Sequence, residues 1–260
     1  MKKTNYTTNF YADYVDESSS SAIVIRDALL KYIPKPQSVI DVGCGIGTWL
    51  KAWQDIGSEI QGIDGSYVDH SQLLINPDYF KEMDLTQPIA IDRKYDLAET
   101  LEVAEHLPEN KADDYVAFLC SLSSMILFGA AIPYQGGTDH INEQWPEYWA
   151  EKFEKNGFIC VDVIRDEAWT NDKCAYYYAQ NTFLYIKKDN LNKYPALKEI
   201  SERTNIKKLG RVHPKKWHEK HERIEVMRIE DLMEKFPSSF VHLLKRIVRK
   251  IIRLIFSGSN

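Results

Sequence analysis

The first 190 residues alternate between amphipathic segments with the spacing of an α-helix and short segments that are almost wholly apolar. The helical spacing predicts helices over 20–32, 48–56, 111–124 and 147–156. Short apolar or β-branched runs predict strands over 38–42, 60–63, 95–98, 125–132, 158–164 and 182–187. Because helices connect successive strands, we predict an α/β fold with a doubly wound, mostly parallel sheet. No long helix separates the last two strands, which are therefore expected to form an antiparallel edge.

The pattern changes near residue 190, and we predict two domains, 1–190 and 191–260. The second begins as a charged, helix-prone extension and ends in a basic amphipathic helix over 240–256. Apolar residues take one face of this helix, and the other face carries Lys245, Arg246, Arg249, Lys250 and Arg253. Three interpretations stay open: docking on an anionic membrane surface, packing against a partner or the core, and binding of RNA.

The composition is that of a globular protein, with 260 residues of which 44% are hydrophobic. No run of 18 apolar residues predicts a membrane span, and no apolar segment follows Lys2 and Lys3 as a secretory signal requires. The four cysteines form no CxxC pair, which argues against a zinc knuckle or a disulfide framework. We therefore expect a cytoplasmic protein, peripheral on the inner membrane face if the final helix docks there.

The net charge of -5 conceals two regions of opposite charge. Residues 191–260 hold 17 Lys and Arg against 8 Asp and Glu, whereas residues 1–190 hold 16 against 30. A domain that binds nucleic acid is expected to place cations around its cleft. The acidic character of the first domain therefore argues against nucleic acid as its partner.

A glycine-rich turn follows the first predicted strand. It spans Asp41 to Gly47 in the sequence DVGCGIG, with glycines at 43, 45 and 47. Glycines let the backbone turn tightly and approach a ligand closely, and the next helix offers free N–H groups where it begins. The spacing differs from the G-x-G-x-x-G pattern of dinucleotide-binding turns, which favours a donor molecule without a pyrophosphate. A tight turn between a strand and a helix is the purely structural alternative.

Two acidic residues extend this candidate ligand site. Asp64 ends the second predicted strand, about twenty positions beyond the glycine turn, where a carboxylate can accept hydrogen bonds from both ribose hydroxyls. Asp84, in the sequence MDLTQP, is expected at a further strand end, near the edge of an adenine ring. These acids can also serve as helix caps or turn residues, but three acids and three glycines in this order favour a ligand site.

These segments resemble the motifs of class I S-adenosylmethionine-dependent methyltransferases. The resemblance covers residues 8–190 and is carried by VIDVGCGIGTW, GIDG, MDLTQP and LEVAEHLP. It implies a Rossmann-like, seven-stranded sheet with a reversed last strand, and S-adenosylmethionine as the cofactor. The implied cofactor-binding residues are Asp41, Gly43, Cys44, Gly45, Gly47, Asp64, Gly65, Asp84 and Leu85. Among them the glycines surround the methionine part, Asp64 holds the ribose and Asp84 holds the adenine amine. The sequence departs from the family at Glu99, which stands in a strand that is usually apolar.

The candidate catalytic residues follow two later strands. Methyl transfer requires a nucleophile that is aligned with the donor and loses a proton. Glu102, Glu105 and His106 have the i, i+3, i+4 spacing of one helical face. His140 follows the strand at 125–132, and loops at the carboxyl ends of neighbouring strands are expected to meet over the cleft. We therefore predict His140, Glu102 and His106 as catalytic residues, with His140 as a base or a metal ligand on the acceptor side.

The pattern Glu-x-x-Glu-His with a distant histidine also resembles the metal site of small-RNA terminal 2′-O-methyltransferases, in which a divalent cation holds the acceptor's vicinal hydroxyls. The resemblance implies a divalent metal ion held by Glu102, Glu105, His106 and His140. Two carboxylates and two imidazoles suit such an ion. The segment EVAEHLP also occurs in methyltransferases that use no metal, where the acids cap a helix and His106 fills space. Both interpretations stay open.

The segments GGTDHINEQWPEYW and AYYYAQNTFLYI resemble those of bacterial methyltransferases associated with capsule and surface-polysaccharide biosynthesis. This resemblance implies an O-methyltransferase that modifies a sugar hydroxyl or a phosphate-type oxygen of a glycan, nucleotide sugar or phosphorylated sugar. The candidate sugar-stacking residues are Tyr134, Trp145, Tyr148 and Trp169, with core packing as their alternative role. The competing functional hypotheses are a metal-dependent RNA 2′-O-methyltransferase and a non-catalytic methyltransferase-like binding protein.

Overall fold

A computed structural model describes residues 8–222, with side chains from residue 15 onward. The chain divides into two compact units after His213. The first unit extends beyond the boundary predicted near residue 190, because the buried Arg165 donates a hydrogen bond of 2.6 Å to the Leu209 carbonyl and so fixes the following segment. In the second unit a helix begins at residue 214. The basic helix predicted over 240–256 lies outside the described residues.

Seven strands form one sheet. They are β1 (Ser38–Val42), β2 (Glu59–Asp64), β3 (Phe80–Glu82), β4 (Leu97–Leu101), β5 (Met125–Gly129), β6 (Phe158–Val161) and β7 (Phe183–Lys187). Their order across the sheet is β3-β2-β1-β4-β5-β7-β6. The first five strands pair in parallel, and β7 runs antiparallel between β5 and β6. The predicted Rossmann-like sheet with a reversed last strand is therefore confirmed.

Seven α-helices surround the sheet in the first unit, as far as its residues are described. They are α1 (Thr8–Leu29), α2 (Thr48–Gln54), α3 (Ala112–Leu122), α4 (Pro146–Lys155), α5 (Arg165–Ala168), α6 (Tyr176–Asn181) and α7 (Pro195–Arg203). Leu29 of α1 and Trp53 of α2 belong to an apolar core on one face of the sheet, and Leu119 of α3 and Phe153 of α4 belong to a second core on the other face. Helices on both faces explain why the central strands are buried throughout. In the part of the chain that the structure covers, no helix combines the length and apolarity that crossing a bilayer requires.

The structure differs from the sequence prediction at one edge strand and at the ends of several other elements. Strand β3 was not predicted, because Phe80 is its only buried residue and no apolar run marks an edge strand of this kind. Helix α1 begins at Thr8 rather than at residue 20. The strands predicted over 125–132 and 158–164 end at Gly129 and Val161, where the chain leaves the sheet.

Candidate functional site

A cavity of about 960 Å³ opens at the carboxyl ends of β1, β2 and β4. Parallel strands in an open sheet present their carboxyl ends at one edge, which is where ligands of such folds bind. Gly43 and Gly45 follow β1, Asp64 ends β2, and Glu102 follows β4; all four line the cavity. His140 reaches the same cavity from the loop after β5.

The glycine turn brings bare backbone to the cavity wall. Gly43 and Gly45 have φ angles of +86° and +53°, a left-handed conformation that favours glycine. A Cβ atom on Gly43 would lie 2.5 Å from the Val103 side chain, so glycine is needed there for packing. A Cβ atom on Gly45 would meet no atom within 4 Å and would project into open space. Gly45 is therefore the position at which a ligand can approach the backbone most closely.

Asp64 is held rigidly beside this turn. Its side chain is 3% exposed, Oδ2 accepts a hydrogen bond from the Gly45 N–H at 2.6 Å, and Oδ1 accepts one from the Gly65 N–H at 2.6 Å. The hydroxyl of Tyr67 also donates to Oδ1. Burial raises the pKa of Asp64, and these hydrogen bonds oppose the rise because they stabilise the carboxylate. The sequence did not indicate Tyr67, whose hydroxyl takes one of the acceptor positions of the Asp64 carboxylate.

The remaining cofactor residues divide into two groups. Cys44, Gly65, Asp84 and Leu85 line the cavity, and Asp84 accepts hydrogen bonds from the backbone and hydroxyl of Thr86, which lower its pKa. Asp41 and Gly47 are not among the lining residues. Gly47 has a φ of +84° and precedes the first residue of α2, Thr48, as its N-cap, so it is a turn residue.

Asp41 faces Glu99 within the sheet instead of the cavity. The two residues are paired on the neighbouring strands β1 and β4, and both are buried. The indole N–H of Trp53 donates a hydrogen bond of 2.8 Å to Glu99. Burial raises the pKa of Glu99 to about 8, and burial together with the charge of Glu99 raises the pKa of Asp41. Glu99, the acid in a strand that is usually apolar, therefore forms a buried polar group with Asp41 and Trp53 next to the glycine turn.

Three predicted acceptor-side residues converge on one point. Ligand atoms of Glu105, His106 and His140 all lie within 4.8 Å of one another. Backbone hydrogen bonds bring them together, because the Glu105 carbonyl accepts the N–H groups of Ile141 and Asn142 at 2.9 Å. The imidazole rings of His106 and His140 are perpendicular, with their centroids 4.8 Å apart. We refer to Glu105, His106 and His140 as the carboxylate–imidazole cluster.

The carboxyl group of Glu105 is the unusual member of this cluster. Glu105 is fully buried, and neither carboxyl oxygen has a hydrogen-bond partner, although the backbone N–H groups of Glu105 and Ala131 approach it. Nε2 of His140 lies 4.0 Å from Oε1. Burial and the charge of Glu102 raise the pKa of Glu105, and burial together with the charge of His140 lowers the pKa of His106. An unpartnered buried carboxyl that faces two imidazoles fits the ligand set of a divalent metal ion.

Glu102 stands outside the carboxylate–imidazole cluster. Its oxygens accept hydrogen bonds from the side-chain amides of Gln135 at 2.6 Å and Asn181 at 2.8 Å. Glu102, Glu105 and His106 would share one face only in a helix, and no helix includes all three, because Glu102 has a φ of +58° and the following 3-10 helix spans only Ala104–His106. Glu102 therefore lines the cavity as a carboxyl already bound by two amides.

The aromatic residues at the cavity are not the predicted ones. Tyr134, Trp145, Tyr148 and Trp169 are absent from the lining. Tyr148 packs against Trp149, and Trp169 packs against His213. The aromatic residues that line the cavity are Trp49, Tyr67, Tyr176, Tyr177 and Tyr178. The three consecutive tyrosines belong to α6, a short helix that the sequence did not predict.

The cavity wall is acidic. Asp64, Glu82, Asp84, Glu102 and Asp139 contribute carboxyl groups. Among the described residues, no lysine or arginine lines the cavity. An anionic group inside it would thus find histidines and backbone N–H groups but no permanent cation.

The chain is similar to known methyltransferases. Residues 17–163 match a family model described as a methyltransferase domain. A search of curated proteins found no significant match.

Solved structures show the same fold. Magnesium protoporphyrin IX methyltransferase (ChlM) from Synechocystis PCC 6803 with bound SAH is 17% identical, with a TM-score of 0.51; the match covers 71% of this chain and 90% of that one. DesVI from Streptomyces venezuelae is 12% identical, with a TM-score of 0.53; the match covers 69% of this chain and 95% of that one.

Proposed function

The chain belongs to the methyltransferase domain family, and on that premise we propose that it is an S-adenosylmethionine-dependent O-methyltransferase acting on a sugar hydroxyl. One observation carries the proposal: Gly45 and Asp64 line the same cavity as His106 and His140. The bound donor supplies an electrophilic methyl group on its sulfonium. The protein's own task is then to hold the donor, align the acceptor oxygen and accept its proton.

The donor is held by the glycine turn and by Asp64. The backbone at Gly43 and Gly45 accommodates the methionine part, since a side chain at Gly45 would fill part of the cavity. Asp64 presents its carboxylate to the ribose hydroxyls, and Asp84 with Leu85 borders the adenine. The Synechocystis methyltransferase, which has the same fold, contains SAH (S-adenosylhomocysteine), and this supports the choice of donor.

The carboxylate–imidazole cluster serves the acceptor. Its residues would hold a divalent ion, which supplies a Lewis acid that lowers the pKa of a bound hydroxyl. Without an ion, His140 accepts the hydroxyl proton directly. Both versions require the reacting hydroxyl to lie beside His140, which lines the cavity.

The acidic cavity wall favours an uncharged sugar over a phosphate-type oxygen. Burying an anion without a paired cation is strongly unfavourable. A nucleotide sugar or phosphorylated sugar therefore fits only if its phosphates stay outside the cavity. Tyr176 and Tyr177 of α6 line the cavity and offer faces on which a sugar ring can pack. The two segments that resemble polysaccharide-modifying enzymes support a role in capsular or surface-polysaccharide biosynthesis.

RNA 2′-O-methylation is a second candidate, favoured by the carboxylate–imidazole cluster alone. The terminal ribose of an RNA also presents vicinal hydroxyls, but its phosphate lies next to them and would have to enter the acidic cavity. The cavity wall therefore favours the sugar acceptor of the two.

An acceptor comparison tests this assignment. Full-length protein is incubated with methyl-labelled S-adenosylmethionine and with pairs of monosaccharides that differ by a phosphate on the sugar, beside short RNAs with a free 3′ end. We expect label to enter the neutral sugar or glycan and to be excluded when a phosphate adjoins the reacting hydroxyl. Preferential labelling of the phosphorylated partner or the RNA would contradict the sugar-hydroxyl assignment. Donor binding without labelling of any acceptor would indicate the non-catalytic alternative.

A further inference from the structure

Glu143 is bonded to three groups of the loop that carries His140. Its Oε2 accepts the Tyr134 N–H at 2.7 Å, and its Oε1 accepts the Gly136 N–H at 2.7 Å. Nδ1 of His140 lies 3.0 Å from the same Oε1. Glu143 does not line the cavity, so its carboxylate acts on the site through these three contacts. The role of Glu143 was not evident from the amino-acid sequence.

The loop held by Glu143 has an unusual backbone. Tyr134 and Asp139 have φ angles of +67° and +58°, and Gly136 has a φ of +74°. Left-handed conformations at residues other than glycine are unfavourable and persist only when neighbouring contacts enforce them. Two of the enforcing contacts come from the Glu143 carboxylate. The loop also passes very close to the imidazole ring, as the 2.2 Å distance between His140 Nε2 and a Cβ atom placed on Gly137 shows.

The contact with Glu143 favours one position for the proton of a neutral His140. An ionised carboxylate is only an acceptor, so a neutral imidazole must present Nδ1–H to it. Nε2 is then left with its lone pair, on the side of Glu105 Oε1, which lies 4.0 Å away. This is the nitrogen that must be unprotonated, whether His140 acts as a base or as a metal ligand.

We propose that Glu143 is a positioning residue that fixes His140 as the Nδ1–H tautomer, so that Nε2 carries the lone pair that would receive the proton of the acceptor hydroxyl. The proposal rests on the proposed function, in which His140 acts on that hydroxyl. A carboxylate behind an active imidazole holds its orientation and increases its basicity, and loss of such a partner typically costs about 10–100-fold in activity or metal affinity. If Glu143 only stabilised the conformation of the loop, its replacement would impair folding and donor binding together.

The tautomer can be measured in the unmodified protein. Long-range ¹H–¹⁵N correlation spectra of the full-length, ¹⁵N-histidine-labelled chain are recorded in chelator at mildly alkaline pH, where imidazole is neutral. His140 is assigned by the loss of its signals in His140→Asn. We expect the Nδ1–H pattern for His140 in the native chain. An Nε2–H pattern would overturn the proposal without any need for a Glu143 variant.

The Glu143→Gln variant then tests the catalytic consequence, with Glu147→Gln as the matched control. Glu147 is exposed at the start of α4, so Glu147→Gln makes the same chemical change four residues further along the chain, away from His140's contacts. We expect Glu143→Gln to mix the two tautomers of His140 and to lower kcat about 10–100-fold, with unchanged donor affinity. A native tautomer with unchanged kcat would overturn the proposal, as would a parallel loss of folding and donor binding. If the native chain shows the Nδ1–H pattern but methylates no acceptor, the proposed function fails while the assignment of Glu143 to the ring stands.

Discussion

Replacing His140 by alanine is expected to lower kcat by about 10²- to 10⁴-fold, the usual contribution of a positioned proton-transfer group. His140 lines the cavity with only 12% of its side chain exposed, and Nε2 faces the unpartnered carboxyl of Glu105. The variant should still bind S-adenosylmethionine, because the glycine turn and Asp64 are untouched. Steady-state kinetics beside calorimetric titration of the donor separates the two effects. His218→Ala, at an exposed histidine of the second unit, is the control.

Chelation distinguishes the two roles of His140. If the carboxylate–imidazole cluster holds a divalent ion, excess chelator should abolish turnover and an added divalent ion should restore it. Glu105→Gln should then lower metal affinity as well as kcat, since it removes the buried anionic ligand. Full turnover in chelator, with no metal found by elemental analysis, would leave His140 as a simple base. Unchanged kcat in His140→Ala would contradict both roles.

Replacing Asp64 by alanine is expected to weaken S-adenosylmethionine binding by about 1.5–3 kcal/mol, the range for hydrogen bonds to charged groups. This corresponds to roughly a 10- to 150-fold rise in Kd. The carboxylate is buried and already aligned by the Gly45 and Gly65 N–H groups, so little is lost in ordering it when the ribose binds. Calorimetric titration measures the change directly.

A control is needed because Asp64 also supports the turn. Asp78→Ala changes an exposed aspartate of the same region that lies outside the cavity, and it should leave affinity unchanged. Thermal unfolding of Asp64→Ala checks that the glycine turn survives the loss of its acceptor. A folded Asp64→Ala protein with native affinity would refute the assignment of Asp64 to the ribose.

The donor half of the site was predictable because its signals are local. The β-branched run Ser38–Val42 is a strand with the predicted bounds, and the glycines after it adopt the left-handed conformations that their spacing suggested. Asp64 lies at the end of β2, as the apolar run before it indicated. Asp41 lies beside Glu99 and is not among the residues that line the cavity, which the sequence of β1 alone did not indicate. Its partner Glu99 comes from another strand, and only the register of the sheet brings the two together.

The acceptor half was less predictable because it depends on contacts between distant segments. The helical spacing of Glu102, Glu105 and His106 suggested one face, but the positive φ at Glu102 turns that residue toward Gln135 and Asn181. The carboxyl group of Glu105 is buried without a hydrogen-bond partner because of the residues that pack around it, and no local sequence pattern indicates which residues these are. The tyrosines of α6 line the cavity. This short helix was not predicted, because a run of three aromatic residues indicates a strand as readily as a helix.

A structure of the full-length chain with S-adenosylhomocysteine bound is the most direct test of the account. We expect the methionine part of the product along Gly43 and Gly45, and the ribose hydroxyls within hydrogen-bond distance of Asp64. The product sulfur should face His140, with room between them for a sugar hydroxyl. A product bound outside this cavity, or bound within it with the sulfur turned away from His140, would contradict the account.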